Sequence, residues 1–206
     1  NALGGDQASV AGAIYYAVDR GATVINLSLG NYGRPHAFVM RAIKYAQSNN
    51  VTVVAAAGNG HPYTGAPIDT DRIPNYPSAL PFDNIIAVAA SSKTKYATNY
   101  SNYGKISVDL SAPGGDDEDP LISAAMKNAQ GILFEEMQGT SMASPVVAGA
   151  VAVIKSFKPD LSPQQIKALI MQTGNSNSEL KSLTASGKEL NLERAVASLS
   201  ARQILP

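Results

Sequence analysis

The sequence has no cysteine, no excess of either charge and no long apolar run. Without cysteine among the 206 residues there is no disulfide framework, thiolate metal site or thiol nucleophile, and the redox compartment stays undetermined. Lysine plus arginine number 16, as do aspartate plus glutamate, and no basic cluster occurs, so we expect no nucleic-acid partner and no membrane partner. No apolar run reaches the roughly 18 residues that cross a bilayer, and residues 1–5 lack the pattern of a signal peptide. These absences favour a soluble globular chain.

Helical and strand patterns alternate along the whole chain. This alternation predicts an α/β fold in which a largely parallel twisted sheet carries helices on both faces, with no internal domain boundary in residues 1–206. A loop with five prolines is expected at 61–83. The second helix is expected to bury Phe38, Ala42, Ile43 and Ala46. The predicted helices are 8–20, 35–49, 146–154, 164–173 and 192–199, and the predicted strands are 24–29, 51–57, 85–90, 106–110 and 132–138.

The segment Gly139-Thr140-Ser141-Met142-Ala143-Ser144-Pro145 places a serine hydroxyl just before an apolar helical run. The first backbone N–H groups of a helix lack partners and carry a partial positive charge, so they stabilise an oxygen that becomes negative. Pro145 is expected in the first turn, where its missing N–H costs nothing. Ser141 by itself is better explained as a helix N-cap, a role that serine fills routinely, and only the companion segments around Asn59 and Ser28 favour the nucleophile.

Asn59 follows a buried strand and has a glycine on each side. The carboxyl ends of parallel strands form the edge where open α/β sheets bind ligands. An amide at this edge is a second donor for a developing oxyanion, and Gly58 and Gly60 allow close approach of a substrate. Asn59 alone is also consistent with a turn residue in the left-handed region.

Three segments together carry a family resemblance: the Ser141 segment, Ala56-Ala57-Gly58-Asn59, and Val24-Ile25-Asn26-Leu27-Ser28-Leu29-Gly30. In this order they resemble the subtilisin-like serine proteases over essentially the whole chain. The resemblance implies that Ser141 is the catalytic nucleophile and Asn59 the side-chain donor of the oxyanion hole. It also implies that Ser28, Leu29 and Gly30 pair with the substrate backbone, and that Ala56, Ala57 and Gly58 border the pocket for the residue before the scissile bond. Pairing with an extended peptide tolerates many sequences, because main-chain hydrogen bonds carry the affinity.

The chain departs from the family in what it lacks. The family's catalytic aspartate and histidine lie upstream of the part that resembles residue 1 onward, so the chain resembles only the carboxyl-terminal portion of a catalytic domain. We expect a complementary amino-terminal fragment, or self-association, beside the strands that contain Ser28 and Val54. Of the two histidines, His61 lies close to the presumed pocket and His36 opens a helix; surface loop histidines are the simpler interpretation of both.

No cofactor is required by this chemistry, and no metal ligand is assigned. The resemblance allows a structural calcium ion, for which Asp69-Thr70-Asp71 and residues 116–119 are candidates, although neither has the spacing of a calcium loop. The resemblance also implies a polypeptide substrate and a secreted or extracytoplasmic location.

Two functions from different classes remain open. The first is a serine endopeptidase portion that is nearly inert until an upstream segment supplies the histidine and aspartate. The second is a non-catalytic binding or scaffold domain derived from the same family. An α/β-hydrolase esterase is disfavoured, because the segment Gly139-Thr140-Ser141-Met142-Ala143 lacks the second glycine of a Gly-x-Ser-x-Gly turn.

Overall fold

The computed structural model describes residues 6–93, 97–124, 131 and 133–201. The helices are α1 Gln7–Asp19, α2 Ala37–Ser48, α3 Thr140–Phe157, α4 Pro163–Thr173 and α5 Leu192–Ala201, with a short 3-10 helix at Leu180–Ser182. The strands are β1 Val24–Leu27, β2 Asn31–Tyr32, β3 Thr52–Ala56, β4 Asn75–Tyr76, β5 Ile85–Ser91, β6 Leu110–Pro113, β7 Leu121–Ala124, β8 Phe134–Met137, β9 Asn175–Ser176 and β10 Lys188–Glu189.

A six-stranded sheet forms the centre of the molecule. Its order is β1-β3-β5-β6-β10-β9, and every neighbouring pair is parallel except the pair of β10 and β9. Two small antiparallel pairs, β2 with β4 and β7 with β8, lie outside this sheet. The predicted α/β fold with a largely parallel sheet is confirmed.

Helices cover both faces of the sheet, because side chains alternate between the faces along each buried strand. In β3, Val53 and Ala55 pack with α1 and α2, whereas Val54 packs with α3 and α4. In β5, Ile85 packs on the first side and Ile86 on the second. The result is a three-layer core with the sheet in the middle.

Helix α3 lies across the second face. By length and composition alone it is long and apolar enough to cross a membrane, although the sequence shows no apolar run of that length. Its buried residues, including Val147, Val151 and Ile154, pack in the core against the sheet and α4. A core helix of a soluble protein passes the same test, so α3 is explained by its place in the core.

The strand edges correct one expectation about docking. Val54 lies in β3, which pairs on both sides, with β1 and with β5. In the described residues β1 pairs only with β3, so of the two strands that contain or lead to Val54 and Ser28, β1 is the one with a free edge. Asn26 in this strand is exposed, as expected for an edge position.

Several predicted boundaries move. The strand expected at 106–110 begins at Leu110, because Ile106 is 84% exposed in a turn. Phe38 is 52% exposed and Val39 takes its predicted place in the core. The predicted strand 132–138 is β8, although Ile132 lies outside the described residues, and its partner β7 was not predicted.

Candidate active site

Helix α3 begins at Thr140, with Gly139 as its N-cap at a backbone φ of +145°, where a side chain would be strained. Ser141 is therefore the second helical residue, and the N-cap interpretation of this serine is wrong. Its hydroxyl lies 3.4 Å from the carbonyl oxygen of Ser28, to which it donates. In the described part of the chain its backbone N–H has no acceptor. A free donor and a hydroxyl thus belong to the same residue at the positive end of a helix.

The Asn59 side chain contacts Thr140, the first residue of α3. Its side-chain oxygen accepts hydrogen bonds from the backbone N–H of Thr140 at 2.8 Å and from the Thr140 hydroxyl at 2.9 Å. A backbone N–H only donates, so this contact assigns the oxygen and nitrogen of the amide. The amide nitrogen of Asn59 makes no hydrogen bond among the described residues, and a Cβ added at Gly139 would lie 3.1 Å from it. The amide is therefore fixed through its oxygen and keeps its N–H groups available.

The backbone of Asn59 is not left-handed. Among the described residues Asn50 is the non-glycine residue with a positive φ. Asn59 is exposed beyond the carboxyl end of β3, a strand that is otherwise buried and ends at Ala56. The turn interpretation is thus not supported by its conformation, and its contact with Thr140 accounts for its orientation.

The segment Ala56-Ala57-Gly58 is held by Asn102, a residue that the sequence analysis missed. Asn102 is fully buried, and its side-chain nitrogen donates to Tyr32 Oη and to the carbonyl oxygen of Ala57, both at 2.8 Å. Its side-chain oxygen accepts the backbone N–H groups of Gly60 at 2.9 Å and of Ile68 at 3.0 Å. All four hydrogen-bonding positions of the amide are filled, which fixes the loop on both sides of Asn59. No periodicity or spacing in the sequence distinguishes Asn102 from other loop asparagines.

Gly58 leaves room for this arrangement. It has a φ of +102°, and a Cβ there would collide with the Asn102 side chain. The predicted substrate edge, Ser28, Leu29 and Gly30, follows β1 and is exposed. Gly30 faces the buried side chain of Asn75, against which a Cβ would also collide. The two backbone segments predicted to contact substrate therefore both need glycine where they meet buried asparagine side chains.

Pro145 corrects a prediction about the helix. It is the sixth residue of α3, in the second turn rather than the first. A proline there cannot donate to the carbonyl oxygen four residues earlier, which belongs to Ser141. That oxygen instead accepts a hydrogen bond of 2.7 Å from the hydroxyl of Ser28. Ser28 thus contacts Ser141 twice, through its hydroxyl and through its own carbonyl oxygen.

Neither histidine contacts Ser141. His61 is exposed, accepts the backbone N–H of Tyr63 on Nδ1 at 3.3 Å, and packs against the Tyr63 ring. His36 is the N-cap residue of α2 and packs against Phe38. Both histidines of the chain are described, so neither is in place to accept the proton of the Ser141 hydroxyl.

The two candidate calcium loops have carboxylates that are already engaged. Asp71 accepts the backbone N–H and the hydroxyl of Ser107 at 2.8 and 2.7 Å. Burial raises the pKa of Asp71, but hydrogen bonds from Ser107 and from backbone amides outweigh it and hold the pKa below the ordinary value of 3.8. Asp116 accepts two backbone N–H groups of its own loop, and Asp119 pairs with Lys93 at 3.2 Å.

Calcium requires several oxygen ligands directed at one point. Within the described ranges no group of three or more acidic or histidine side chains is arranged to hold a metal ion. The groups that contact these carboxylates are hydrogen-bond donors, namely amides, a hydroxyl and an ammonium group. A bound cation needs oxygen ligands in their place.

The chain matches known proteins along most of its length. The family model described as the subtilase family matches residues 1–191. Thermitase from Thermoactinomyces vulgaris is 34% identical over 200 residues, which are 95% of this chain and 62% of that relative. An extracellular protease from Xanthomonas campestris pv. campestris is 37% identical over 155 residues, which are 74% of this chain and 24% of that relative. The chain thus spans less than two thirds of the length of these relatives.

Solved structures agree with this match. A protease structure from Pseudoalteromonas arctica is 30% identical with a TM-score of 0.79, over 95% of this chain and 59% of that chain. The family model matches residues 1–191, which include Asn59 and the start of α3 at Thr140 that this asparagine contacts. The chain belongs to the subtilase family.

Proposed function

We propose that this chain is the nucleophile-bearing portion of a serine endopeptidase, in which Ser141 attacks the substrate carbonyl. The observation that carries the proposal is the contact between Asn59 and Thr140. It holds an amide donor beside the residue that precedes the nucleophile. The Ser141 N–H is a second donor at the same helix start.

The proposed reaction has two stages. The Ser141 hydroxyl oxygen forms a bond to the scissile carbonyl carbon as a base accepts its proton, and the carbonyl oxygen becomes an oxyanion. The Ser141 N–H and the Asn59 amide donate hydrogen bonds to that oxyanion, which lowers the barrier. Collapse releases the amine, which takes the proton from the base, and water then hydrolyses the acyl-serine.

The base and its carboxylate partner come, in this proposal, from a segment that precedes Asn1 in a longer polypeptide. Support comes from the two histidines, both of which are engaged away from Ser141. The free edge of β1 leads directly to Ser28 and Ser141 and is the docking position that we propose for that segment. An unpaired strand edge also favours self-association of the chain when it is alone. Without the base we expect turnover to fall on the order of a millionfold, a size already known from subtilisin.

The names of two relatives support a proposal about location. Relatives are named an extracellular protease and a cell wall-associated protease, and we propose a secreted or extracytoplasmic location for this protein. An extended polypeptide, paired with Ser28, Leu29 and Gly30, is the proposed substrate.

A fluorophosphonate probe tests the proposal. We expect rapid labelling of Ser141 in the longer gene product that carries the family's aspartate and histidine, and slow or no labelling in the 206-residue chain. Ser141→Ala is the control and removes all labelling at this position. Absence of labelling in the longer product contradicts the protease and favours the second candidate, a non-catalytic peptide-binding domain. Size-exclusion chromatography that shows the chain alone as a stable, compact monomer contradicts the proposed docking edge.

A further inference from the structure

The side chains of Asn26, Ser28 and Ser144 form a hydrogen-bonded chain behind Ser141. The Asn26 amide nitrogen donates to the Ser28 hydroxyl at 2.9 Å, and the Ser144 hydroxyl donates to the Asn26 amide oxygen at 2.7 Å. The Ser28 and Ser144 hydroxyls are 3.1 Å apart. The Ser28 hydroxyl has one proton, and it is directed to the Ser141 carbonyl oxygen at 2.7 Å, since a carbonyl only accepts. The network of Asn26, Ser28 and Ser144 thus ends on the backbone of Ser141.

Pro145 is the reason that the Ser141 carbonyl oxygen is free to accept a hydrogen bond from Ser28. In a regular helix the residue four positions later donates to a carbonyl, and Pro145 has no N–H to donate to Ser141. A side chain just past the end of β1, 113 residues earlier in the chain, supplies the donor instead. Ser144 lies fully buried beneath, so the network is anchored in the core.

We infer that Ser28 is a positioning residue for the nucleophile. A fixed Ser141 carbonyl fixes the plane of the peptide bond after Ser141, and with it the direction of the side chain that carries the hydroxyl. The same residue belongs to the backbone segment proposed to pair with substrate. Ser28 therefore fixes the position of the substrate backbone relative to the Ser141 hydroxyl. A displacement of about 1 Å between these two groups costs about a hundredfold in rate. This inference rests on the proposed function for its catalytic consequence.

The decisive comparison uses two substitutions together. In the longer, active product we expect Ser28→Ala to lower kcat about tenfold with KM changed less than about twofold, the size of one well-made hydrogen bond. In Ser28→Ala/Pro145→Ala the new N–H of residue 145 donates to the Ser141 carbonyl, and we expect kcat to return to within about threefold of Pro145→Ala alone. Ser28→Thr keeps the hydroxyl and should keep kcat near that of the parent.

Ser156→Ala is the matched control. The Ser156 hydroxyl also donates to a carbonyl of α3, that of Val153 at 2.7 Å, but on an exposed turn far along the helix. We expect no change in kcat from this substitution. A Ser28→Ala enzyme with unchanged kcat overturns the inference, as does a loss that Pro145→Ala does not recover.

A second measurement separates this inference from the proposed function. Amide hydrogen exchange of Met142 and Ala143, whose N–H groups bond to the Gly139 carbonyl, reports the first turn of α3 without any reaction. In the 206-residue chain we expect faster exchange in Ser28→Ala and recovery in the double variant. If the longer product does not react with the probe but this pattern appears, the contact stands and its catalytic role is overturned with the proposed function. Unchanged exchange overturns the contact itself.

Discussion

The side-chain oxygen of Asn59 accepts the backbone N–H of Thr140 at 2.8 Å, across 81 positions of sequence. This hydrogen bond joins the carboxyl end of β3 to the first residue of α3. It orients the amide of Asn59 by its oxygen and leaves the nitrogen for another acceptor. The Thr140 hydroxyl reinforces this contact, since it also donates to the Asn59 oxygen and accepts the Gly58 N–H.

Removal of the Asn59 amide tests its role. We expect Asn59→Ala to lower kcat about 10²–10³-fold with little change in KM, the size already known for this type of donor in subtilisin. The physical reason is that the donor is needed by the oxyanion more than by the ground-state carbonyl. Steady-state kinetics of the longer product on a peptide substrate measures it.

Thr140 provides the graded control for that experiment. The Thr140 hydroxyl donates to Asn59 and also accepts the Gly58 N–H at 3.1 Å. We expect Thr140→Ser to retain activity and Thr140→Val to lose a smaller part of kcat than Asn59→Ala, because the backbone N–H of residue 140 still holds the amide. Equal losses of kcat in Thr140→Val and Asn59→Ala would contradict this account, because they would mean that the Thr140 hydroxyl, and not the backbone N–H of residue 140, is the main group that holds the Asn59 amide.

We expect substitution of Asn102 to lower the free energy of unfolding strongly. Asn102→Ala removes four hydrogen bonds in a fully buried place and leaves backbone groups of Ala57, Gly60 and Ile68 without partners. We expect the free energy of unfolding to fall by about 3 kcal/mol or more, since each buried unsatisfied group costs about 1–3 kcal/mol. Urea denaturation measures it, and a loss below about 1 kcal/mol would contradict the assigned role.

The ion pair of Lys167 and Asp109 gives a pH-dependent prediction. Their side chains are 2.8 Å apart, and Asp109 is 5% exposed. Burial raises the pKa of Asp109, although Lys167 opposes it. Lys167→Met leaves the carboxylate buried and unpaired, so we expect a loss of about 3–5 kcal/mol at neutral pH.

The sign of the pH dependence follows from the raised pKa of Asp109. Above the ordinary value of 3.8 the unfolded chain loses this proton before the folded chain does, so stability falls as the pH rises. Without Lys167 the folded pKa rises further. We expect the destabilisation by Lys167→Met to shrink as the pH is lowered toward about 4, as measured by urea denaturation at several pH values. A loss that is constant with pH would contradict this account.

Asp71 gives the opposite pH dependence. Its pKa is lowered in the folded chain, so its contribution to stability is present above pH 3.8 and is lost as the pH falls below that value. We expect Asp71→Asn to destabilise the protein at about pH 7 and to have a smaller effect at about pH 3. The matched comparison is Asp83→Asn, a carboxylate whose described contact is with Gln164 at 3.2 Å, for which we expect little effect at either pH.

The sequence determined the order of elements and the candidate residues. Continuous apolar runs placed β1, β3, β5 and α3, because burial of an element leaves a strong apolar signal in its sequence. The segments around Ser141, Asn59 and Ser28 carried the family assignment. β7 is mostly exposed and left little apolar signal, so it was not predicted. β6 is mostly buried, but it was predicted too early because apolar residues at Ile106 and Val108 precede its first residue, Leu110.

Tertiary structure decided which side chains meet. The contacts of Asn59 with Thr140, of Asn102 with Gly60 and of Ser28 with Ser141 join residues that are 81, 42 and 113 positions apart. A hydrogen bond depends on distance and direction in space, and neither is encoded in the local pattern of apolar and polar residues. Pro145 shows this most clearly, because its place in the sequence indicates that a donor is absent, and only the fold shows that the Ser28 hydroxyl replaces it.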